Sequence, residues 1–103
     1  MDLLLQINAV NMKTRLLGDI EVSEIGMGCM AFSHGYGKIP EESYSIEAIQ
    51  SAYKHGCNFF DTAEIYSPNL MGRGHNERIV GKALSSIREN VVIATKLFLN
   101  SMY

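Results

Sequence analysis

Two apolar runs, each ending in a single charge, constrain this chain most. The pair Phe59-Phe60 runs into Asp61, and Val91-Val92-Ile93-Ala94-Thr95 runs into Lys96. Continuous apolar runs of this length suit strands buried on both faces of a parallel sheet. Functional groups gather at the carboxyl end of such strands, so a charge placed there marks a candidate site.

The stretches between and before these runs have helical spacing. Pro40-Glu41-Glu42-Ser43 reads as a helix start, with proline in the first turn and acids at the positive end of the helix dipole. Ile46, Ile49, Ala52 and Tyr53 fall on one stripe, and Lys54-His55-Gly56 reads as a stop. This predicts a helix at about 42–55. A second helix is predicted from Asn76, read as its N-cap, with Ile79, Val80, Ala83 and Leu84 on the apolar face. Ser85 to Asn90 closes it, and a loop spans Ser67 to His75. Upstream, Gly18-Asp19 separates Thr14–Leu17 from Ile20–Ser23, a hairpin signal that puts Ile20 and Val22 on one face. Ile25 to Met30 reads as a short buried strand. The order is hairpin, strand, helix, strand, helix, strand, which means right-handed βαβ crossovers and a parallel sheet.

Composition supports one packed domain: 103 residues, 47% hydrophobic and 19% charged. A net charge of −2 with no basic run argues against nucleic acid or an anionic membrane as partner. No apolar run approaches the ~18 residues of a membrane span. Cys29 and Cys57 form no C-x-x-C and read as free core thiols in a reducing compartment, so the expected location is cytoplasmic. Residues 1–12 read as an N-terminal extension, expected to be disordered, with Met12 a candidate natural start. The loop His34-Gly35-Tyr36-Gly37-Lys38 matches no phosphate-binding glycine pattern, and His55 reads as a helix-end residue.

If the strands ending in Asp61 and Lys96 are neighbours, they lie about 4.8 Å apart and both end at one sheet edge, where these charges can meet, with Tyr66 in the loop between. Two readings stand on local pattern: an ion pair closing two strands, or a proton-transfer trio. The chemistry of the second is specific. A tyrosine of pKa ~10 is a poor acid at neutral pH, an adjacent ammonium favours its phenolate, and a carboxylate keeps that ammonium charged and oriented. The trio would protonate a carbonyl oxygen as it gains charge, and the hydride would come from a cofactor.

Several pieces together resemble the aldo-keto reductase family: Ile25-Gly26-Met27-Gly28-Cys29-Met30, Asn58 to Tyr66 with its Asp-Thr-Ala-x-x-Tyr core, Asn76-Glu77-Arg78-Ile79-Val80-Gly81-Lys82-Ala83-Leu84, and Ala94-Thr95-Lys96. The resemblance implies an α/β fold, a partial (β/α)8 TIM barrel. Residues 13–103 would be its incomplete N-terminal part: a plugging β-hairpin, then about three β strands and two α helices. It implies reduction of aldehydes or ketones with NADPH, or sometimes NADH, on a small-molecule carbonyl substrate. Tyr66 would donate the proton, Lys96 would assist it, and Asp61 would hold Lys96. Gly28, Cys29, Met30 and Asp61 would lie along the nicotinamide, and no metal is implied. The family's catalytic histidine, on the next strand, has no counterpart here, and His34, His55 and His75 do not replace it. Little activity is therefore expected of this chain alone. The alternatives are a non-catalytic partial-barrel module, self-associating through exposed barrel edges, and an NADPH-binding sensor without chemistry.

Overall fold

The computed structural model describes residues 12–34, 37–69 and 72–97. The expected extension at 1–12 lies outside the described residues except for Met12, as do Gly35 and Tyr36 of the glycine-rich loop. The chain opens with a hairpin, β1 (Thr14–Leu17) and β2 (Ile20–Ser23), paired antiparallel with Leu17 opposite Ile20. Gly18 takes the left-handed φ of +68° that a two-residue turn requires at its first position. Val22 is buried, whereas Ile20, on the same face, is 48% exposed near the turn.

The second sheet is parallel, in the order β3 (Met27–Gly28), β4 (Phe59–Asp61), β5 (Val92–Ala94). Met27 and Gly28 sit opposite Phe60 and Asp61, and Phe59, Phe60 and Asp61 sit opposite Val92, Ile93 and Ala94. The two apolar runs ending at Asp61 and Lys96 are therefore adjacent strands. The strand expected over Ile25–Met30 is only two residues long. Ile25 is 63% exposed ahead of it, and the Cys29 N–H makes the last rung to the Asp61 carbonyl before the chain turns into a single 3-10 turn at Met30–Phe32.

Helix α1 (Glu42–Lys54) matches its predicted span and ends at Gly56, whose φ of +101° stops it. Helix α2 (His75–Leu84) begins earlier than predicted. Gly74, at φ +83°, occupies the cap position, and Asn76 lies within the first turn, fully buried. Asn76 is thus not the N-cap: glycine adopts the left-handed entry that asparagine reaches only at a cost. Residues Ser85–Asn90 follow as a 3-10 segment broken at Ile87.

Both helices pack on the same face of the sheet, side by side. Ile49 of α1 meets Phe60 of β4 and Ile79, Val80, Ala83 and Leu84 of α2 in one core, with Ile46, Ala52 and Tyr53 packed against it. The period of two along a strand sends Phe60 into this core and turns its neighbours Phe59 and Asp61 to the opposite face. Cys57 and Cys29 join the core as free thiols. The hairpin connects to β4 through a reciprocal pair: the Ser23 N–H donates to Asn58 Oδ1 at 2.6 Å, and the Asn58 N–H donates to Ser23 Oγ at 3.0 Å.

Candidate active site

Parallel pairing brings the strand ends to one edge, and the backbone extends that alignment beyond the strands. The Thr62 N–H donates to the Ala94 carbonyl at 2.8 Å, and the Glu64 N–H to the Lys96 carbonyl at 3.1 Å. Lys96 Nζ consequently reaches back across β4. It donates to Asp61 Oδ1 at 2.8 Å and to the Thr62 carbonyl at 2.7 Å. The same Nζ stands 5.2 Å from the centre of the Tyr66 ring, within cation–π range. The three residues singled out in the sequence are therefore together, with the ammonium in the middle. Hydrogen bonding to Asp61 raises the Lys96 pKa above its ordinary value, against a smaller opposing effect of desolvation, and Tyr66 acts in the same direction as Asp61.

Tyr66 is half-buried on a loop tied to both neighbouring segments. Its carbonyl accepts from the Asn76 N–H at 3.1 Å, and the Glu64 carbonyl accepts from the Gly74 N–H at 2.8 Å. A cavity of about 460 Å³ opens at Tyr66, lined also by Met30, His34, Ile65, Ser67, Pro68 and Asn69. His34 is held there through Nδ1 and the Ser67 carbonyl, 3.2 Å apart.

Gly28 lies directly opposite Asp61, and a side chain built on it would meet nothing within 4 Å. Met30 is partly exposed at the start of the following turn. Cys29 points elsewhere. Its side chain is in the core, its carbonyl accepts from Phe32 N–H and Asn76 Nδ2, and its N–H is spent on Asp61. Burial, with the nearby Asp61 charge, pushes its thiol up to about 12. Of the other histidines, His55 caps α1 through the Ser51 carbonyl, and His75 Nδ1 is 2.7 Å from Ser33 Oγ.

The profile of the Aldo/keto reductase family matches residues 24–103, a span that contains all of these groups. The chain belongs to the aldo/keto reductase family. Among curated proteins, it is 40% identical over 92 residues to a probable aldo-keto reductase 1 of Glycine max, covering 88% of this chain and 24% of that protein. It is 36% identical over 87 residues to the uncharacterized oxidoreductase YqkF of Bacillus subtilis, covering 82% and 25% respectively. Among solved structures, the holo form of aldo-keto reductase AKR11C1 from Bacillus halodurans superposes with a TM-score of 0.67 at 37% identity, over 82% of this chain and 26% of that one. The chain thus spans about a quarter of the length of these three proteins. Its fold is correspondingly a partial α/β barrel, with three parallel strands and no closure among the described residues.

Four hydrogen bonds at this edge were not legible in the sequence. Thr95 Oγ1 donates to Glu77 Oε2 at 2.6 Å, joining the residue before Lys96 to the first turn of α2. The Asn76 side chain donates to the Cys29 carbonyl and to Ser33 Oγ, at 2.7 and 2.8 Å, and its Oδ1 accepts from the Thr62 hydroxyl at 2.5 Å. Glu77, three residues after the glycine that enters the helix, was the one available signal.

Proposed function

We propose that Asp61, Tyr66 and Lys96 form the proton-donating part of a site that reduces aldehydes or ketones to alcohols with NAD(P)H. The observation that carries this reading is one ammonium, Lys96 Nζ, placed between a carboxylate at 2.8 Å and a phenol ring at 5.2 Å. Family membership supports it. The open backbone at Gly28, opposite Asp61, leaves room for a flat ring, and Gly28, Met30 and Asp61 are the residues that would border it. Cys29, with its polar groups engaged internally, would support that border from beneath.

When bound, a reduced nicotinamide supplies the hydride. Tyr66 holds the proton on its hydroxyl and releases it to the carbonyl oxygen as negative charge develops there. The Lys96 cation stabilises the charge left on the phenol, and Asp61 keeps that cation from swinging into solvent. The cavity beside Tyr66 has a mostly apolar lining that includes Met30, Ile65 and Pro68, and it would take an apolar substituent of the carbonyl compound.

The test is NADPH consumption with a reactive aromatic aldehyde, comparing the protein that carries these residues with its Tyr66→Phe variant. Removing the hydroxyl should lower kcat by about 10²–10⁴-fold with little change in NADPH binding. Equal, measurable turnover by the two proteins would refute the role given to Tyr66.

A further inference from the structure

Lys96 is half exposed, and so is Asp61, its partner. An ion pair between half-exposed side chains contributes little fixation on its own. The second acceptor on Lys96 is of a different kind. Thr62 is 1% exposed, and the position of its carbonyl is set by backbone and side-chain bonds together. Its N–H is tied to the Ala94 carbonyl, and its hydroxyl is tied to Asn76 Oδ1. Asn76 is 0% exposed and uses both halves of its amide, because Nδ2 is shared between the Cys29 carbonyl and Ser33 Oγ. One amide on α2 therefore anchors the turn after β3 and the segment after β4 at the same time. Its own backbone N–H meanwhile holds the Tyr66 carbonyl.

We propose that Asn76 is a positioning residue for the Lys96 ammonium, acting through the Thr62 hydroxyl to hold the Thr62 carbonyl where Lys96 Nζ donates to it. The inference rests on the reading that Lys96 serves Tyr66 in carbonyl reduction. It assigns to α2, which holds Tyr66 by its backbone carbonyl, a rigidity that an exposed ion pair does not supply by itself. A fully satisfied buried network supplies such rigidity, since each member has a single low-energy arrangement. Among the described residues, no buried side-chain nitrogen or oxygen is left without a partner.

A residue that merely stabilised the fold would leave Lys96 untouched, and this separates the two roles. The experiment is an NMR titration of the Lys96 side chain, read at Cε and Nζ, in wild type and in Thr62→Val, which keeps the shape of the side chain and deletes its hydroxyl. The midpoint of Lys96 should fall by about half a pH unit as the carbonyl loses its fixed position. Thr62→Ser, which restores the hydroxyl, should return it to the wild-type value. Val80→Ala, in the core of the same helix but outside the network, should lower the melting temperature without moving Lys96. If Thr62→Val does not fold, Thr62→Ala, which leaves room for a water at Asn76 Oδ1, carries the same expectation. A folded variant without the hydroxyl whose Lys96 titrates as in wild type overturns the proposal. So does a Thr62→Ser midpoint displaced as far as that of Thr62→Val. The readout needs no turnover, so a Tyr66→Phe variant that reduces carbonyls as fast as wild type would sink the functional reading and leave this coupling standing.

Discussion

Replacing each half of the Phe59-Phe60 pair by alanine tests the register of β4 directly. Phe60 is 0% exposed and sits in the middle strand, against Ile49 from one helix and the apolar face of the other. Truncating such a residue costs about 3–5 kcal/mol, combining lost burial with an unfilled cavity. A domain of this size is stable by roughly 5–15 kcal/mol, so Phe60→Ala removes between about a fifth and all of it. Phe59 is half-buried on the opposite face, where its ring lies against Gly26. Its truncation exposes less new apolar surface, and about 1–2 kcal/mol is expected. Urea unfolding followed by far-UV circular dichroism resolves the difference. With a slope near 2 kcal/mol per molar, Phe60→Ala should lower the midpoint by roughly 2 M and Phe59→Ala by less than about 1 M. A Phe59→Ala loss equal to or larger than that of Phe60→Ala would mean the strand faces are reversed. Asp61 would then point into the helices rather than toward Lys96.

Three further outcomes follow from the electrostatics. In Asp61→Asn, Lys96 should lose most of its upward shift, since the Asp61 hydrogen bond is its largest cause. The group's pKa is raised on folding, so the pair stabilises fully below the ordinary value of 10.5 and loses its effect as pH rises through the folded value. The melting-temperature gap between Asp61→Asn and wild type should therefore stay constant from neutral pH to about pH 9 and close in stronger base, with a size below about 1 kcal/mol because both side chains are half exposed. The opposite sign holds for Glu42, whose carboxyl is held below its ordinary 4.5 by the hydrogen bond from Lys82 at 2.7 Å. Its contribution is present above that ordinary value, so the gap between Glu42→Gln and wild type should vanish as acid takes the pH down through the folded pKa. Cys29 and Cys57 are both buried, and burial holds Cys29 near 12, so a thiol-reactive dye should label neither at pH 8 until denaturant is added. Labelling of the native protein would contradict the packing around β3.

The strand order and the meeting of Asp61 with Lys96 could be read from the chain because both follow from local pattern. Apolar runs set the strands, and parallel pairing aligns their ends. Tyr66 could be placed near them because the loop that carries it starts at the same edge. The length of β3 could not be read, since it depends on the Cys29 N–H finding the Asp61 carbonyl and on the turn that follows. Asn76 departs from the cap role its sequence position predicts for a related reason. An asparagine before an apolar helix has the composition of a cap, and only the convergence of Cys29, Ser33 and Thr62 around it makes it a buried hub. Such convergence joins residues up to 47 positions apart, and no periodicity encodes it. The cavity at Tyr66 was similarly invisible, because its walls come from two separate loops.

The Ser23–Asn58 exchange has a mechanical consequence. Two hydrogen bonds, both made with side-chain oxygens, join the hairpin sheet to the start of the central strand. Tension applied to the N-terminal side of the chain converges on this clasp before it reaches the ladder between β3, β4 and β5. Single-molecule pulling from the N-terminal side should therefore show the hairpin detaching in a first step, before the strands carrying Asp61 and Lys96 lose their register. The clasp acts as a fuse between the entrance of the chain and the residues that would do its chemistry.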